Sequence, residues 1–364
     1  MCPELREGFT TGTAAAAAAK AATLFLLTGQ QAKTMDTPLP PGGRLTVPVA
    51  DITRESPRTA RATVIKDGGD DPDATHGHTI EVLVELRPDV DLPPQILGGK
   101  GVGTVTLPGL PVPPGEPAIN PEPRKQIATA VTEAITSQDF QGSVRVTVEV
   151  PAGETIAQKT MNPRLGIVGG ISILGTRGTV KPFSHESYAA SIKQALDVAL
   201  AQGTTHIGLS TGGRTEGLLR ADLPNLPETA FIQFADFFAL ALSEAGARGF
   251  SEITVGCYFG KLVKMAMGFE YTHAKDTRID FDRLSHWCRK AGLDANRAAQ
   301  AKEAITARHV LEIVLEDPAK DAIVGSIAKK ALTVARGFAG ATPRISYRVY
   351  GFDGAPLTHL TGEE

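Results

Sequence analysis

The sequence predicts an α+β N-terminal domain joined to an α/β Rossmann-like three-layer domain. Three observations carry that expectation. Residues 30–160 hold short β-branched runs broken by Pro and Gly with few helices, the mark of a mainly antiparallel sheet. From 162 onward, strand-like and helix-like segments alternate, which predicts a parallel sheet covered by helices. Where the pattern changes, five glycines interrupt a short apolar run across Asn162–Lys181. Glycine has no Cβ and tolerates positive φ, so a ligand can approach the backbone of such a strand end closely.

Thr10-Thr11-Gly12-Thr13 ahead of Ala14–Ala19 reads as a capped helix start, with Gly29 as the stop. Strands are expected at Leu45–Val49, Ala60–Ile65, Thr79–Leu86, Gly103–Thr106 and Val144–Val150, with one helix at about Pro123–Ser137. The alternating half reads as strand Gly166–Leu174, helix Ser184–Ala201, strand His206–Ser210, helix Ala230–Ala245, strand Glu252–Val255 and helix Gly260–Met267. Residues 280–340 read as largely helical, with a short strand at Val310–Leu315, and Arg344–Tyr350 as a last strand. The expected division is an α+β domain over 1–160, completed by 344–364, and a Rossmann-like, cofactor-binding domain over 161–343.

A chain of 364 residues can bury two cores. With 21% charged and 42% hydrophobic residues, it reads as a globular protein. A net charge of −3 supplies no general basic surface, so no nucleic-acid partner is expected. The three cysteines, Cys2, Cys257 and Cys288, form no CxxC pair, which speaks against a zinc site or disulfide framework and for a cytoplasmic location. Glu4, Arg6 and Glu7 give the apolar N-terminal run a mixed start and Lys20 interrupts it, so it reads as a helix of a soluble protein, with no membrane partner.

Three loops are expected beyond the carboxyl ends of parallel strands, where open α/β sheets bind ligands. They are Gly175-Thr176-Arg177-Gly178, Ser210-Thr211-Gly212-Gly213-Arg214 and Gly256-Cys257-Tyr258-Phe259-Gly260-Lys261. Amides at a helix N-terminus can hold a carboxylate or nucleoside hydroxyls. GxxxxGK[ST] and GxGxxG are both absent, which points away from an ATPase and a common dinucleotide enzyme. His273, close in sequence to Lys261 and Lys264, could handle a proton or a substrate carboxylate, or simply cap the next helix. Asp67–Gly77 reads as a turn or substrate-contact loop rather than a calcium site. Gly98–Gly103, four glycines around Lys100, reads equally as a platform for a flat ligand or a flexible hairpin. Arg6, Arg124, Arg164 and Arg177 stand in loops beside Gly, Pro or Asn, positions from which arginine clamps carboxylates.

Several ordered blocks resemble the cobalt-precorrin-5B C1-methyltransferase family of anaerobic cobalamin biosynthesis. They begin with Leu5–Thr13 (LREGFTTGT) and include DGGDDPDATHG at 67–77, GGKGVGTVTLPGL at 98–110 and AINPEPR at 118–124. KTMNPRLGIVGGISILGTRGTVKPFS at 159–184, GKLVKMAMG at 260–268 and Thr272-His273 follow, and the likeness runs to about Asp282. The chain departs from the family pattern at Ala14, at Arg177 and around Cys257-Tyr258. The resemblance implies methyl transfer from S-adenosylmethionine to C1 of a corrinoid that brings its own cobalt, with no protein-bound metal. It places the donor against Gly169, Gly170, Gly175, Thr176, Gly178, Ser210, Thr211 and Gly212, with Asp236 as a ribose or amino-group partner. Under that reading Arg6, Thr11, Arg124 and Arg164 are the candidate substrate-binding residues, Lys261 is a further candidate partner for the corrinoid carboxylates, His273 and Lys261 are the catalytic candidates, and a tetrapyrrole is the small-molecule partner. Association into a homo-oligomer is left open. The competing readings are a non-catalytic tetrapyrrole carrier and a nucleotide-dependent transferase or kinase.

Overall fold

The computed structural model describes residues 5–88, 90 and 92–362. The chain divides into two compact units, Met1–His185 and Glu186–Glu364. Cys2 lies outside the described residues.

The first unit runs β1 (Gly8–Phe9), α1 (Thr11–Thr28), β2 (Thr34–Pro38), β3 (Arg44–Pro48), β4 (Asp51–Ser56), β5 (Thr59–Ile65), β6 (Thr79–Pro88), β7 (Gln95–Gly98) and β8 (Thr104–Val105). It continues with α2 (Pro121–Ser137), β9 (Gly142–Glu149), α3 (Gly153–Ala157), β10 (Ile167–Val168) and β11 (Thr179–Val180). Its five-stranded sheet has the order β4-β5-β6-β9-β7. Neighbours are antiparallel except β7, which runs parallel to β9. Ala60, Ala62 and Val64 of β5 and Ile80, Val82 and Val84 of β6 are fully buried at every second position, the period of one sheet face. Helix α1 packs on β5, β6 and α2. Its alanines make that approach close: Ala14–Ala19 are all 0% exposed. Thr10 caps the start by accepting Thr13 N–H at 3.2 Å, and Gly29 closes the end with φ 74.

The second unit runs α4 (His185–Ala201), β12 (His206–Ser210), α5 (Gly213–Asp222), β13 (Phe231–Gln233), α6 (Phe238–Ala247), β14 (Glu252–Tyr258) and α7 (Phe259–Ala266). There follow α8 (Phe281–Lys290), α9 (Ala295–Lys302), α10 (Ala307–Leu315), α11 (Lys320–Ala339), β15 (Arg344–Tyr350) and β16 (Pro356–Leu360). The sheet order is β13-β12-β14-β15-β16. The first four strands are parallel and β16 is antiparallel. The sheet is covered on both faces. A Cβ on Gly208 or Gly256 would meet Leu219 of α5, so that face carries α5. Tyr347 points the other way, its hydroxyl 3.4 Å from the Ala331 carbonyl of α11. Helix α11 in turn packs on α6 and α7.

Five expectations need correction. Gly166–Leu174 is not a strand of the second sheet. Gly166 and Gly169 have φ of 70 and 82, which breaks the extended run; Ile167–Val168 pairs antiparallel to β8, and Ile171 and Ile173 make isolated parallel bridges to Val102 and Ile119, all in the first unit. The contact boundary accordingly falls at 185/186 rather than 160. Arg344–Tyr350 does not complete the first domain; it pairs in parallel with β14 across seven residues, where Ile345, Tyr347 and Val349 are fully buried. Val310–Leu315 is helical. Thr306 caps α10 by accepting His309 N–H at 3.1 Å, and Ala307, Val310, Leu311 and Val314 supply a helix-period apolar stripe that outweighs β-branching. The expected helix Ala230–Ala245 is shorter, because Phe231–Gln233 pairs with β12 as an edge strand.

Candidate functional site

The glycine-rich stretch belongs wholly to the first unit, where it is pinned to the start of α1. Thr11 Oγ1 donates to Leu174 O at 3.3 Å and accepts Leu174 N–H at 2.9 Å. Thr10 N–H and Thr13 Oγ1 both donate to Gly178 O, at 2.9 and 2.8 Å. Buried Asn162 organises the turn, its Oδ1 accepting from Ser172 Oγ at 3.1 Å. A Cβ on Gly175 would stand 2.4 Å from Thr10, and one on Gly170 would stand 2.1 Å from Gly101 O. Gly170 thus lets backbone meet backbone, and Gly175 makes room for the Thr10 side chain. Around Gly169 the space is open. Gly169, Gly170, Gly175, Thr176 and Gly178 therefore leave no parallel strand, and the expected set of three sheet-end loops reduces to two.

Those two loops, after β12 and β14, flank the point where the strand order reverses. In the order β13-β12-β14 the chain departs from β12 to one side and returns to the other, and doubly wound sheets bind ligands at that switch point. Ser210 ends β12 beside Gly256 of β14. It is fully buried and its Oγ has no hydrogen-bond partner. Thr211 and Gly212 follow, and α5 begins at Gly213 without a side-chain cap, so its first-turn amides remain open.

The end of β13 supplies the charged part. Ala235 turns the chain with φ 49, a left-handed conformation disfavoured by its Cβ. Asp236 then forms an ion pair with Lys261, the third residue of α7. Buried Thr272 completes the group, with Oγ1 3.0 Å from Asp236 Oδ1 and 3.1 Å from Lys261 Nζ. Lys264 Nζ donates to Thr272 O at 2.9 Å. Burial holds the Lys264 ammonium below its ordinary pKa, and neighbouring Lys261 adds to the effect. Tyr188, Phe237, Tyr271 and His273 form a ladder of rings alongside, with successive centroids 5.2, 5.0 and 6.0 Å apart. His273 lies one residue beyond Thr272, and its Nδ1 accepts Lys275 N–H at 3.3 Å. Lys261, Asp236 and His273 thus gather in one neighbourhood.

The expected substrate cations fare differently. Arg6 is bonded through both guanidinium amines to Asp67. Its hydrogen bond is the main reason that the Asp67 carboxyl titrates at about 2. Arg124 donates to the carbonyls of Ile119, Ile96 and Pro117 at 2.9, 3.1 and 3.4 Å. It is a brace between α2 and its neighbouring loops rather than an open clamp. Thr11 is likewise engaged by Leu174. Arg164 sits half-buried in the Pro163–Leu165 turn, and Arg177 is exposed. Asp67–Gly77 is a structural loop in which buried Lys66 pairs with Asp73 at 2.7 Å. Sequence reasoning passed over Phe352, after the end of β15, on whose ring both Arg214 and Arg308 stack. The one available signal was an aromatic inside a Gly-Phe-Asp-Gly turn.

Fold and site together define an α/β protein with a candidate small-molecule site at the carboxyl ends of a parallel sheet. No helix among the described residues is long and apolar enough to cross a membrane. The chain belongs to the CbiD family: the CbiD model matches residues 2–182, and the model of the CbiD C-terminal domain matches 271–359. A Cobalt-precorrin-5B C(1)-methyltransferase from Nitratidesulfovibrio vulgaris is 49% identical over 97% of this chain and 92% of its own. One of the same name from Geobacillus kaustophilus is 46% identical over 86% of this chain and 83% of its own. The crystal structure of a cobalamin biosynthesis protein (cbiD) from Archaeoglobus fulgidus is 30% identical, covers 72% of this chain and 79% of its own, and superposes with a TM-score of 0.40.

Proposed function

We infer that this protein methylates C1 of cobalt-precorrin-5B, giving cobalt-precorrin-6A, with S-adenosylmethionine as the donor. The observation that carries the reading is family membership: relatives of that one name align with 49% and 43% identity over 97% and 98% of the chain. Bound S-adenosylmethionine supplies an activated methyl group on a sulfonium. Displacement at that carbon is in-line, so the protein's task is alignment in a dry, suitably charged cleft.

The second unit offers what such a donor requires, and we assign it the Rossmann-like, donor-binding role. Ser210 brings a buried hydroxyl in want of a partner, and Thr211 and Gly212 lead into an uncapped helix start. Asp236 is the acidic group for a ribose or an amino group. Since Lys261 and Thr272 engage its Oδ1, Oδ2 is the oxygen for that contact. Lys261 fixes this carboxylate and keeps positive charge beside it. His273 is the candidate proton acceptor, and Arg164 the candidate partner for a macrocycle carboxylate. The glycines of 169–178 support the reading only as scaffold of the first unit. We also propose a cytoplasmic location, which the lack of a CxxC pair or disulfide framework in the sequence supports.

Incubation of the full chain with methyl-labelled S-adenosylmethionine and cobalt-precorrin-5B tests the reading. The expected product is a corrinoid one labelled methyl heavier, detected by mass analysis. An unlabelled corrinoid would overturn it.

A further inference from the structure

At the carboxyl end of the second unit's sheet stands a cation that no ion pair engages. Arg214 lies in the first turn of α5, exposed, and has no carboxylate partner among the described residues. Its Cζ sits 5.3 Å from the ring centroid of Phe352. Phe352 belongs to the turn between β15 and β16 and is 55% exposed, a large apolar side chain held out toward solvent. Arg308, in the first turn of α10, stacks on the same ring at 4.8 Å, and Tyr258 at the end of β14 lies 6.0 Å from it. Arg308 is also paired with Glu312 at 3.1 Å, so Arg214 is the cation with its charge uncompensated.

Two further features adjoin Arg214 along the chain. The start of α5 has no side-chain cap, which leaves amide donors and the positive end of the helix dipole exposed. Ser210 lies just before it, on the sheet face that carries α5, as the neighbouring Gly208 shows by abutting Leu219. Its Oγ is buried and unpartnered. A guanidinium, open amides and an orphan hydroxyl can all donate to one acceptor, and the carboxylate of the same turn, Glu216, is paired with Arg220 at 3.3 Å.

We propose that Arg214, the first-turn amides of α5 and the Ser210 hydroxyl form a seat for a ligand carboxylate, with Phe352 as the positioning residue that holds the Arg214 guanidinium over it. The proposal rests on the methyltransferase reading and deepens it. That reaction offers two sources of a carboxylate: the methionyl end of the donor, and an acetate or propionate arm of the macrocycle.

Calorimetry on the full chain separates the sources. Arg214→Ala removes an exposed side chain, so the variant is expected to fold, with circular dichroism as the check. If the donor supplies the carboxylate, Arg214→Ala weakens S-adenosylmethionine binding by about tenfold to about a hundredfold, as loss of a charge-assisted contact does. Binding of decarboxylated S-adenosylmethionine then stays the same in both proteins. If the macrocycle supplies it, donor binding is unchanged and KM for cobalt-precorrin-5B rises about tenfold or more with kcat retained. Phe352→Ala should produce a smaller loss, Phe352→Tyr should restore it, and neither should matter once Arg214 is alanine. Wild-type binding of both ligands with no change in either constant for Arg214→Ala overturns the seat alone. A wild-type chain that binds neither ligand overturns the methyltransferase reading and the seat with it.

Discussion

Lys261 and Asp236 form an ion pair that ties the first turn of α7 to the residue after the left-handed Ala235. Both side chains are largely buried, at 28% and 17% exposure, and Lys264 approaches the same group through Thr272. Removing the carboxylate leaves two ammonium groups converging on Thr272. Asp236→Ala should lower unfolding stability by about 2 kcal/mol, less than for a fully buried pair because water reaches the lysines. Urea titration measures it, and adding Lys261→Met should recover most of the loss.

The glycine-rich stretch separates two kinds of glycine. Gly175 has φ 130 and no room for a Cβ against Thr10, so Gly175→Ala should cost about 3 kcal/mol or more. Gly169 has φ 82 but open space around it, so Gly169→Ala should cost only about 1 kcal/mol. Equal losses in chemical denaturation would contradict the packing account.

Acid should weaken the first unit through Glu133 and Asp67. Hydrogen bonding from Arg44, and then from Lys20, holds the Glu133 carboxyl at about 2. Arg6 does the same for Asp67, also at about 2. Because both folded values lie below the ordinary carboxylate values, their stabilisation is complete above about pH 4.5 and is lost as pH falls toward 2. Glu133→Gln should lower Tm by about 3 °C at neutral pH and flatten the acid slope, as read by calorimetric scans.

Cys257 and Cys288 should be inert in the native protein. Burial pushes both thiols up to about 12, and Cys257 is 0% exposed. Peptide mapping after alkylation at pH 8 should find neither modified until denaturant is added.

His273→Gln should lower kcat about a hundredfold with donor affinity unchanged if this ring takes up the proton lost from the substrate. Single-turnover rates beside calorimetry decide the matter. Wild-type turnover in the variant would remove His273 from the chemistry.

Much of the fold was legible because local signals were strong. The Thr10 cap, the alanine run and Gly29 fixed one helix, and the alternation in 59–65 and 79–88 marked two strands of the first sheet. Long-range pairing was not legible. The period of Arg344–Tyr350 says strand, yet nothing local distinguishes β9 from β14 as its neighbour. The glycines at 166–178 misled for a related reason. Close backbone approach looks the same in sequence whether the visitor is a ligand or, as here, the start of α1. Asp236 and Lys261 were legible singly, but their ion pair depends on a short edge strand, Phe231–Gln233, that its own sequence presents as part of a helix.

The insertion of β15 beside β14 also sets when the second unit can form during synthesis. Helices α7–α11 lie along the chain between these two neighbours, so all of them must leave the ribosome before the sheet gains its fourth parallel strand. Until then β14 keeps an edge of unpaired backbone N–H and C=O groups along the side that β15 takes. Truncation before Arg344 would therefore strip out an interior strand of this sheet.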